Sequence, residues 1–560
     1  MPIAQKVMNV KKNILLIYLC LITVLLFSAC KNQPKKETVQ ENNEKKTEQV
    51  AVEIPYGDAL STGEIAEPIN LIPALAADSA SHNVTQYIYN GLVKYDKDLN
   101  LVGDLAERWE ISEDKKVFIF YLKKGVKWHD GVEFTADDVK FTYEFMISDD
   151  TPTAYDGDFR AVERVEVIDK YTVKVSYKDV LSPALASWGI WMMPRHALTD
   201  KPSRSPLQRK PIGTGPYKLE SWKAGQSITL TAFHDYFEGR PKIEKIFIRV
   251  IPNQTTQYLE LLNGTIDIMG LTPKQDALDT NTPKYQDNYN TYSFLDFSYT
   301  YVGYNLKMAP FDNKLVRRAL THAINKQSIV DGILYGKGIV AEGPYKPDTY
   351  WYNPNAKGPE YNIEKAKALL AEAGFKDIDG DGILEYNGKK FTIELMTNLS
   401  NDVRGKIAEL VQQSWADIGI DVQIKVLEWA AMLGELNKSN FQAVILGWST
   451  VLDPDQYDIW ASERCGGNGQ NYICYNNEEV DSLLINGRKI FNNEERKHYY
   501  DKVQEILAEE QPYTFLYFPY SNIALNKRFQ NVEPAKAGIT YNFIDWYVPK
   551  QQQKYKVMVE

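Results

Sequence analysis

Residues 104–145, "DLAERWEISEDKKVFIFYLKKGVKWHDGVEFTADDVKFTYEF", carry the strongest structural signal in the chain. The run Val117–Leu122 contains β-branched and aromatic residues with partial period two, which predicts a strand. A turn containing glycines follows, and then Thr135 precedes Asp137 and Asp138. A threonine cap followed by acids is favourable at the positive end of a helix. The segment therefore predicts a strand, a turn and a capped helix in succession.

The pattern of secondary structure changes near residue 300. From about Ala51 to Thr300, short strands between turns dominate, with occasional helices. Beyond Tyr304, longer helices alternate with strand-like segments, and Asp312 and Asn362 are each predicted to cap a helix. This alternation predicts an α/β fold in which helices flank a sheet. The chain is therefore expected to form two lobes that differ in secondary structure, the first with mostly short strands and the second with longer helices between strands.

The composition limits the class of partner. The chain has 560 residues, of which 44% are hydrophobic, and this length favours several structural units. It contains 36 Tyr and 11 Trp, and such amphipathic rings are favoured on recognition surfaces. The formal charge is −10, and no basic stripe is present. A nucleic-acid partner is therefore excluded.

The first thirty residues are interpreted as a targeting segment. Lysines precede an apolar run at residues 14–27, which is shorter than the ~20 apolar residues that span a bilayer. Small residues lie just before Cys30, which resembles the bacterial lipobox, although Phe27 stands where Leu is usual. We expect a signal peptide at 1–29, lipid on Cys30 and a disordered tether at 30–50. A plain transmembrane anchor is the alternative.

Two cysteines, Cys465 and Cys474, remain beyond the predicted signal and flank a glycine-rich loop. An exported protein lies in a compartment where disulfides persist, so we predict that they are bonded to each other. Free thiols are the alternative. A zinc site would need two more ligands, and no histidine lies nearby in the sequence.

An acidic motif resembles the start of a calcium-binding loop. Asp377, Asp379 and Asp381 have the expected spacing, but Gly388 occupies the twelfth position, where a bidentate Glu is required. The following residues are strand-like rather than helical. We therefore predict a glycine-containing turn into a hairpin and no metal site, with incidental calcium affinity as the alternative.

Catalytic motifs are absent from the sequence. It contains no zinc helix, no nucleophile elbow and no phosphate-binding glycine loop, and its six histidines are scattered. We therefore predict a protein that is not an enzyme and needs no cofactor. A secreted peptide hydrolase is the alternative, because a spatial triad leaves no mark on local sequence.

Segments spread over nearly the whole chain resemble the bacterial extracellular solute-binding proteins of family 5. This family includes the dipeptide, oligopeptide and nickel receptors of ABC importers. The similar region extends from Glu67 to about Tyr547, and residues 104–145 are its most specific part. The other segments are residues 71–96, 211–222, 263–268, 309–330 and 447–460.

The resemblance implies a two-lobed α/β clamp of the type II periplasmic-binding-protein class, which closes on a ligand. Its chain would cross between lobes near Tyr299–Tyr304 and Phe518–Ser521. The expected parts are lobe I at residues 51–303 with an inserted subdomain at about 92–205, lobe II at 304–518, and a return to lobe I at 519–560.

The resemblance also implies ligand-binding residues. Trp448 and Trp429 match the family's cleft tryptophans, and flat amphipathic rings suit a cleft that accepts varied side chains. Core packing is the alternative for both. Tyr155, Asn83 and Val84 fall near family ligand contacts.

The family's dipeptide and oligopeptide receptors pair an aspartate with the ligand's α-amino group, and here that position is Val451. Asp453 and Asp455 are the nearby acids that could replace it, with helix capping as the alternative. We therefore expect longer peptides to bind better than dipeptides, with little dependence on a free amino terminus.

The predicted function is that of a monomeric receptor anchored by lipid at the extracytoplasmic face of the bacterial membrane. It would capture peptides between its two lobes, with oligopeptides as the expected ligands, and deliver them to the permease of an ABC importer. Receptors of the same fold for a nickel chelate, haem or an oligosaccharide are the alternatives.

Overall fold

The computed structural model describes residues 55–198, 201–466 and 469–556. The predicted signal peptide, the tether and Cys30 lie outside these residues. Within the described residues, no helix combines the length and apolar character needed to cross a membrane.

Strands and helices alternate along the described residues. The strands are β1 (Ala59–Glu64), β2 (Val93–Tyr95), β3 (Leu101–Gly103), β4 (Ala106–Ile111), β5 (Val117–Leu122), β6 (Val162–Asp169), β7 (Thr172–Tyr177), β8 (Tyr217–Lys223), β9 (Ser227–Ala232), β10 (Lys245–Val250), β11 (Ile268–Gly270), β12 (Tyr289–Leu295), β13 (Ser298–Tyr304), β14 (Gly338–Val340), β15 (Glu385–Tyr386), β16 (Lys389–Lys390), β17 (Thr392–Asn398), β18 (Asp421–Leu427), β19 (Ala443–Ser449) and β20 (Tyr513–Asn526). The α-helices are α1 (Ser79–Thr85), α2 (Ala136–Met146), α3 (Ala184–Ser187), α4 (Gln254–Leu262), α5 (Pro283–Gln286), α6 (Lys314–His322), α7 (Lys326–Ser328), α8 (Ile363–Glu372), α9 (Asp402–Ala416), α10 (Trp429–Asn437), α11 (Tyr457–Trp460), α12 (Glu478–Gly487) and α13 (Asn493–Glu510).

The segment at residues 104–145 forms the predicted strand, turn and helix. Phe118 and Phe120 of β5 point into a core, and the Asp138 carboxylate accepts a hydrogen bond of 2.9 Å from the backbone N–H of Thr135 at the start of α2. The four-stranded antiparallel sheet β4–β5–β7–β6 and α2 surround this core, which also contains Trp128. The sheet lies within the region predicted as an inserted subdomain.

Strand β20 joins two halves of the large sheet. Its first half pairs with β13 and β14, and its second half pairs with β11 and β12. We call the part containing β1 and β8–β12 lobe I, with the subdomain attached, and the part containing β13, β14 and β17–β19 lobe II. The chain crosses between them at residues 296–297 and again inside β20 near Pro519–Tyr520.

The first crossing precedes the expected position at Tyr299–Tyr304. The reason is that β13 begins at Ser298 and already pairs there with β19 of lobe II. In lobe II the helix after this crossing also begins one residue later than expected, because the side chain of Asn313, rather than Asp312, accepts the capping hydrogen bond from Leu315.

The parallel strands of both lobes run toward the crossings. In lobe I, β1 is parallel to β10 and β11, and β11 pairs with β20 so that its carboxyl end lies toward residue 520. In lobe II, β17 is parallel to β18 and β19, and β19 ends beside Ser298. Carboxyl ends of parallel strands are the usual place for ligands in α/β sheets. The two sets of ends therefore define the candidate site.

Candidate functional site

Trp448 lies at the carboxyl end of β19, where the strand reaches the crossing. Its indole N–H donates a 3.2 Å hydrogen bond to the hydroxyl of Tyr513, and its ring stacks on Tyr472 with centroids 5.5 Å apart and planes 12° apart. The ring is half-buried rather than enclosed in the core. One face is therefore fixed by Tyr472 while part of the side chain remains accessible.

The loop that carries Tyr472 is closed by a disulfide between Cys465 and Cys474. Burial raises the pKa of Tyr472 to about 12, and the nearby carboxylate of Asp78 in lobe I adds to this shift. The disulfide loop thus holds an aromatic ring of lobe II close to the start of α1 in lobe I.

Tyr155 extends from the subdomain toward the same place. Its hydroxyl donates a 3.3 Å hydrogen bond to the carbonyl of Ala76, and burial raises its pKa, with Tyr472 as a further cause. Tyr155 of lobe I therefore lies near Tyr472 and Trp448 of lobe II. These three residues, which we call the aromatic wall, are contributed by both lobes.

Trp429 begins α10 and is separated from the end of β18 only by the capping residue Glu428. It is half-buried and packs at the edge of a lobe II core that includes Met432 and Leu436. Its indole nitrogen is buried and has no hydrogen-bond partner within the described residues. Its place at a carboxyl strand end matches that of Trp448, but the aromatic wall does not include it.

Asp453 and Asp455 each bind an arginine of lobe II. Asp453 accepts two hydrogen bonds from Arg496, at 2.7 and 2.8 Å, and Asp455 accepts one of 3.1 Å from Nε of Arg488. Burial raises the pKa of Asp455 to about 6. These contacts do not support either acid as the partner of a ligand amino group, because each carboxylate already faces a guanidinium. The position matched to the family's anchor, Val451, is 61% exposed.

The same segment connects the two lobes through ion pairs. Arg488, bound to Asp455, also pairs with Asp158 of the subdomain, and its carbonyl accepts a 2.5 Å hydrogen bond from the backbone N–H of Ser182. Arg464 joins Asp156 of the subdomain, at 2.8 Å, to Asp458, at 3.0 Å. We call these two chains of charges the interlobe pairs. Residues 447–460 thus supply Trp448 at the candidate site and two acids, Asp455 and Asp458, that bind the lobe II arginines of the interlobe pairs.

Asn83 and Val84 lie on different faces of α1. Val84 is completely buried in the lobe I core with Leu60 and Ile88, so its assignment as a ligand contact is corrected: this face of α1 packs on β1. Asn83 lies outside that core, and its amide donates to both carboxylate oxygens of Glu64, at 3.2 and 3.3 Å.

Two charged residues at carboxyl strand ends were not predicted from the sequence. Glu64 ends β1 in lobe I, and Arg404 follows β17 at the start of α9 in lobe II. Arg404 donates a 2.9 Å hydrogen bond from Nη1 to Asn398, and its Nη2 lies beside Gly447, next to Trp448. Burial lowers its pKa, and no carboxylate pairs with it in the described part of the chain. In the sequence, each of these residues is only a single charged residue near the end of a strand. That pattern is too common to identify them as site residues.

The acidic motif lies in the expected turn. Asp377, Asp379 and Asp381 are exposed and close together, and Lys390 pairs with Asp379 at 3.2 Å and with Asp381. Asn387 and Gly388, both left-handed, connect β15 to β16 as a hairpin. The lysine supplies the positive charge that this cluster faces.

Comparisons with known proteins agree with this architecture. Residues 100–470 match the model of bacterial extracellular solute-binding proteins, family 5 Middle. The chain is 35% identical to oligopeptide-binding protein AppA of Bacillus subtilis over 553 residues, which cover 96% of this chain and 99% of that protein. It is 31% identical to heme-binding protein A of Haemophilus influenzae over 479 residues, covering 80% and 84%.

A solved structure has the same fold. The oligopeptide-binding protein AppA from Bacillus subtilis in complex with a nonapeptide superposes with a TM-score of 0.84, at 35% identity, over 89% of this chain and 100% of that one. The expected two-lobed α/β fold is confirmed. The chain belongs to family 5 of the bacterial extracellular solute-binding proteins.

Proposed function

We propose that this protein is the receptor of an ABC importer and captures peptides between its lobes for delivery to the permease. The aromatic wall is the observation that carries the proposal, because Tyr155 of the subdomain and Trp448 and Tyr472 of lobe II bring rings of both lobes together beside the carboxyl end of β19. Flat amphipathic rings bind peptides of varied sequence at low entropic cost. The similarity to a relative named as an oligopeptide-binding protein supports the same ligand class.

The charges around the wall favour longer peptides over dipeptides. The acids after Trp448 are engaged by Arg488 and Arg496, so lobe II offers no free carboxylate in this segment to fix an amino terminus. Arg404 is a guanidinium without an acidic partner among the described residues and suits a ligand carboxylate or carbonyl. Affinity would then come mainly from rings and backbone hydrogen bonds along the peptide.

The haem-binding relative favours a second candidate within the same fold. A haem receptor would use the same aromatic surface for a flat ligand, with Arg404 toward a propionate. It predicts binding of haem in preference to any peptide, whereas a peptide hydrolase would release shortened products.

We propose that the receptor works at the extracytoplasmic face of the membrane and is held there by lipid on Cys30, through the tether at residues 30–50. The small residues before Cys30 and the polar composition of the tether support this. We further propose that it acts as a monomer, because both lobes of one chain supply the site.

Calorimetry with a nonapeptide, the same peptide N-acetylated, and a dipeptide tests this proposal. We expect the nonapeptide to bind more tightly than the dipeptide and acetylation to cost less than about tenfold, or 1.4 kcal/mol. A larger loss on acetylation would show that a carboxylate anchors the amino terminus. Failure of the nonapeptide to bind, with haem binding instead, would support the second candidate.

A further inference from the structure

Glu64 is a carboxylate at the candidate site for which the described residues supply no positive charge. It ends β1, on the same face of the strand as Leu60, and extends beyond the lobe I core beside α1. The amide of Asn83 donates to both of its oxygens, at 3.2 and 3.3 Å. Among the residues that the structure describes, no cationic side chain acts on it.

Some other acids in this part of the protein already have a cationic partner. Glu67, three positions along the chain, binds Arg209 at 3.0 Å and the indole of Trp222 at 2.8 Å. Asp453 and Asp455 bind arginines as described above. Glu64 therefore differs from these three acids, whose charge is already matched by an arginine.

The surroundings of Glu64 make an unpaired charge costly. The side chain is half-buried, so solvent still reaches it, yet the dense protein around it raises its pKa to about 7. Leaving a desolvated carboxylate unpaired costs free energy, which a cation placed against it would recover. Asn83 already fixes the orientation of the carboxylate, so the position is arranged before a ligand arrives.

We propose that Glu64, oriented by Asn83, is the subsite for a positively charged group of the ligand. That group is the ammonium or guanidinium of a lysine or arginine side chain. The proposal rests on peptide capture as proposed above. With Arg404 in lobe II, it gives the site a negative side in lobe I and a positive side in lobe II.

A library of random nonapeptides, in free and N-acetylated forms, tests the subsite. Each protein is equilibrated with the library, and the retained peptides are quantified by mass spectrometry. The variants are Glu64→Gln, Glu64→Asp, which keeps the charge, and Glu67→Gln, a matched control in which the carboxylate removed already has an arginine.

We expect wild type, Glu64→Asp and Glu67→Gln to retain basic over neutral peptides, in both libraries, by about tenfold more than Glu64→Gln. Enrichment of basic peptides within the acetylated library supports a side-chain cation. Selection of free over acetylated peptides without enrichment of basic ones would overturn this assignment, because it points to the amino terminus. Loss of all retention in Glu64→Gln, with Glu64→Asp active, also supports the subsite.

Equal peptide composition and equal free-to-acetylated ratios in wild type and Glu64→Gln would overturn the subsite. That result differs from failure of the proposed function, in which wild type and Glu67→Gln retain no peptide from either library.

Discussion

At the scale of single residues, charge pairing separates structural from ligand-facing groups. Asp453 and Asp455 follow the cleft tryptophan in sequence, yet both bind arginines more than thirty positions away. Glu64 and Arg404 lack such partners among the described residues. An ionic group that the fold leaves unpaired in a recessed position is the better candidate for ligand contact.

The pKa of Glu64 predicts how stability depends on pH. Its folded value of about 7 lies above the ordinary 4.5, so the stability associated with the neutral form is complete below pH 4.5 and is lost as the pH rises through 7. The free energy of unfolding of ligand-free Glu64→Gln, relative to that of ligand-free wild type, should therefore increase by on the order of 1–3 kcal/mol between pH 5 and pH 8.

Denaturant unfolding of both proteins at pH 5 and pH 8 measures this difference. A free-energy gap between variant and wild type that stays constant, or that narrows at pH 8, would contradict the burial of an unpaired carboxylate at this position.

At the scale of elements, local patterns located the strands and helices but not their distant partners. The cap at Thr135, the helix after Asn362 and the hairpin before β17 follow from residues adjacent in sequence. The burial of Val84 depends on β1, and the first crossing depends on the pairing of Ser298 with β19. Such contacts join residues far apart in the chain, so no local period reports them.

We expect the interlobe pairs to slow the release of bound ligand, because they join the subdomain to lobe II. Asp158→Asn removes one charge from the contact between the subdomain and Arg488. Removing one partner of a buried charge pair mainly raises the dissociation rate constant, here by about tenfold or more. Stopped-flow measurement of nonapeptide release tests this.

Asp453→Asn is the matched control, because it breaks an ion pair with Arg496 that lies within lobe II. It should lower thermal stability while leaving the release rate near that of wild type. Equal release rates for Asp158→Asn and wild type, or an equal increase in the control, would remove the interlobe pairs from the closing mechanism.

At the scale of the whole molecule, one strand and one short connection join the lobes. The carboxyl ends of their parallel strands lie toward these crossings, and this places Trp448, Glu64 and Arg404 at the candidate site, to which the subdomain adds Tyr155. The family resemblance predicted two lobes and the cleft tryptophans. The opposite charges of Glu64 in lobe I and Arg404 in lobe II could not be assigned to one site from the sequence, because the two residues are more than three hundred positions apart.

The most direct test of whether this protein captures peptides longer than dipeptides is mass spectrometry of the ligand released from gently purified protein. We expect intact peptides longer than dipeptides, recovered in amounts close to one per chain. Release of haem, a metal chelate or an oligosaccharide as the bound species, or of peptides shortened during incubation with the protein, would contradict it.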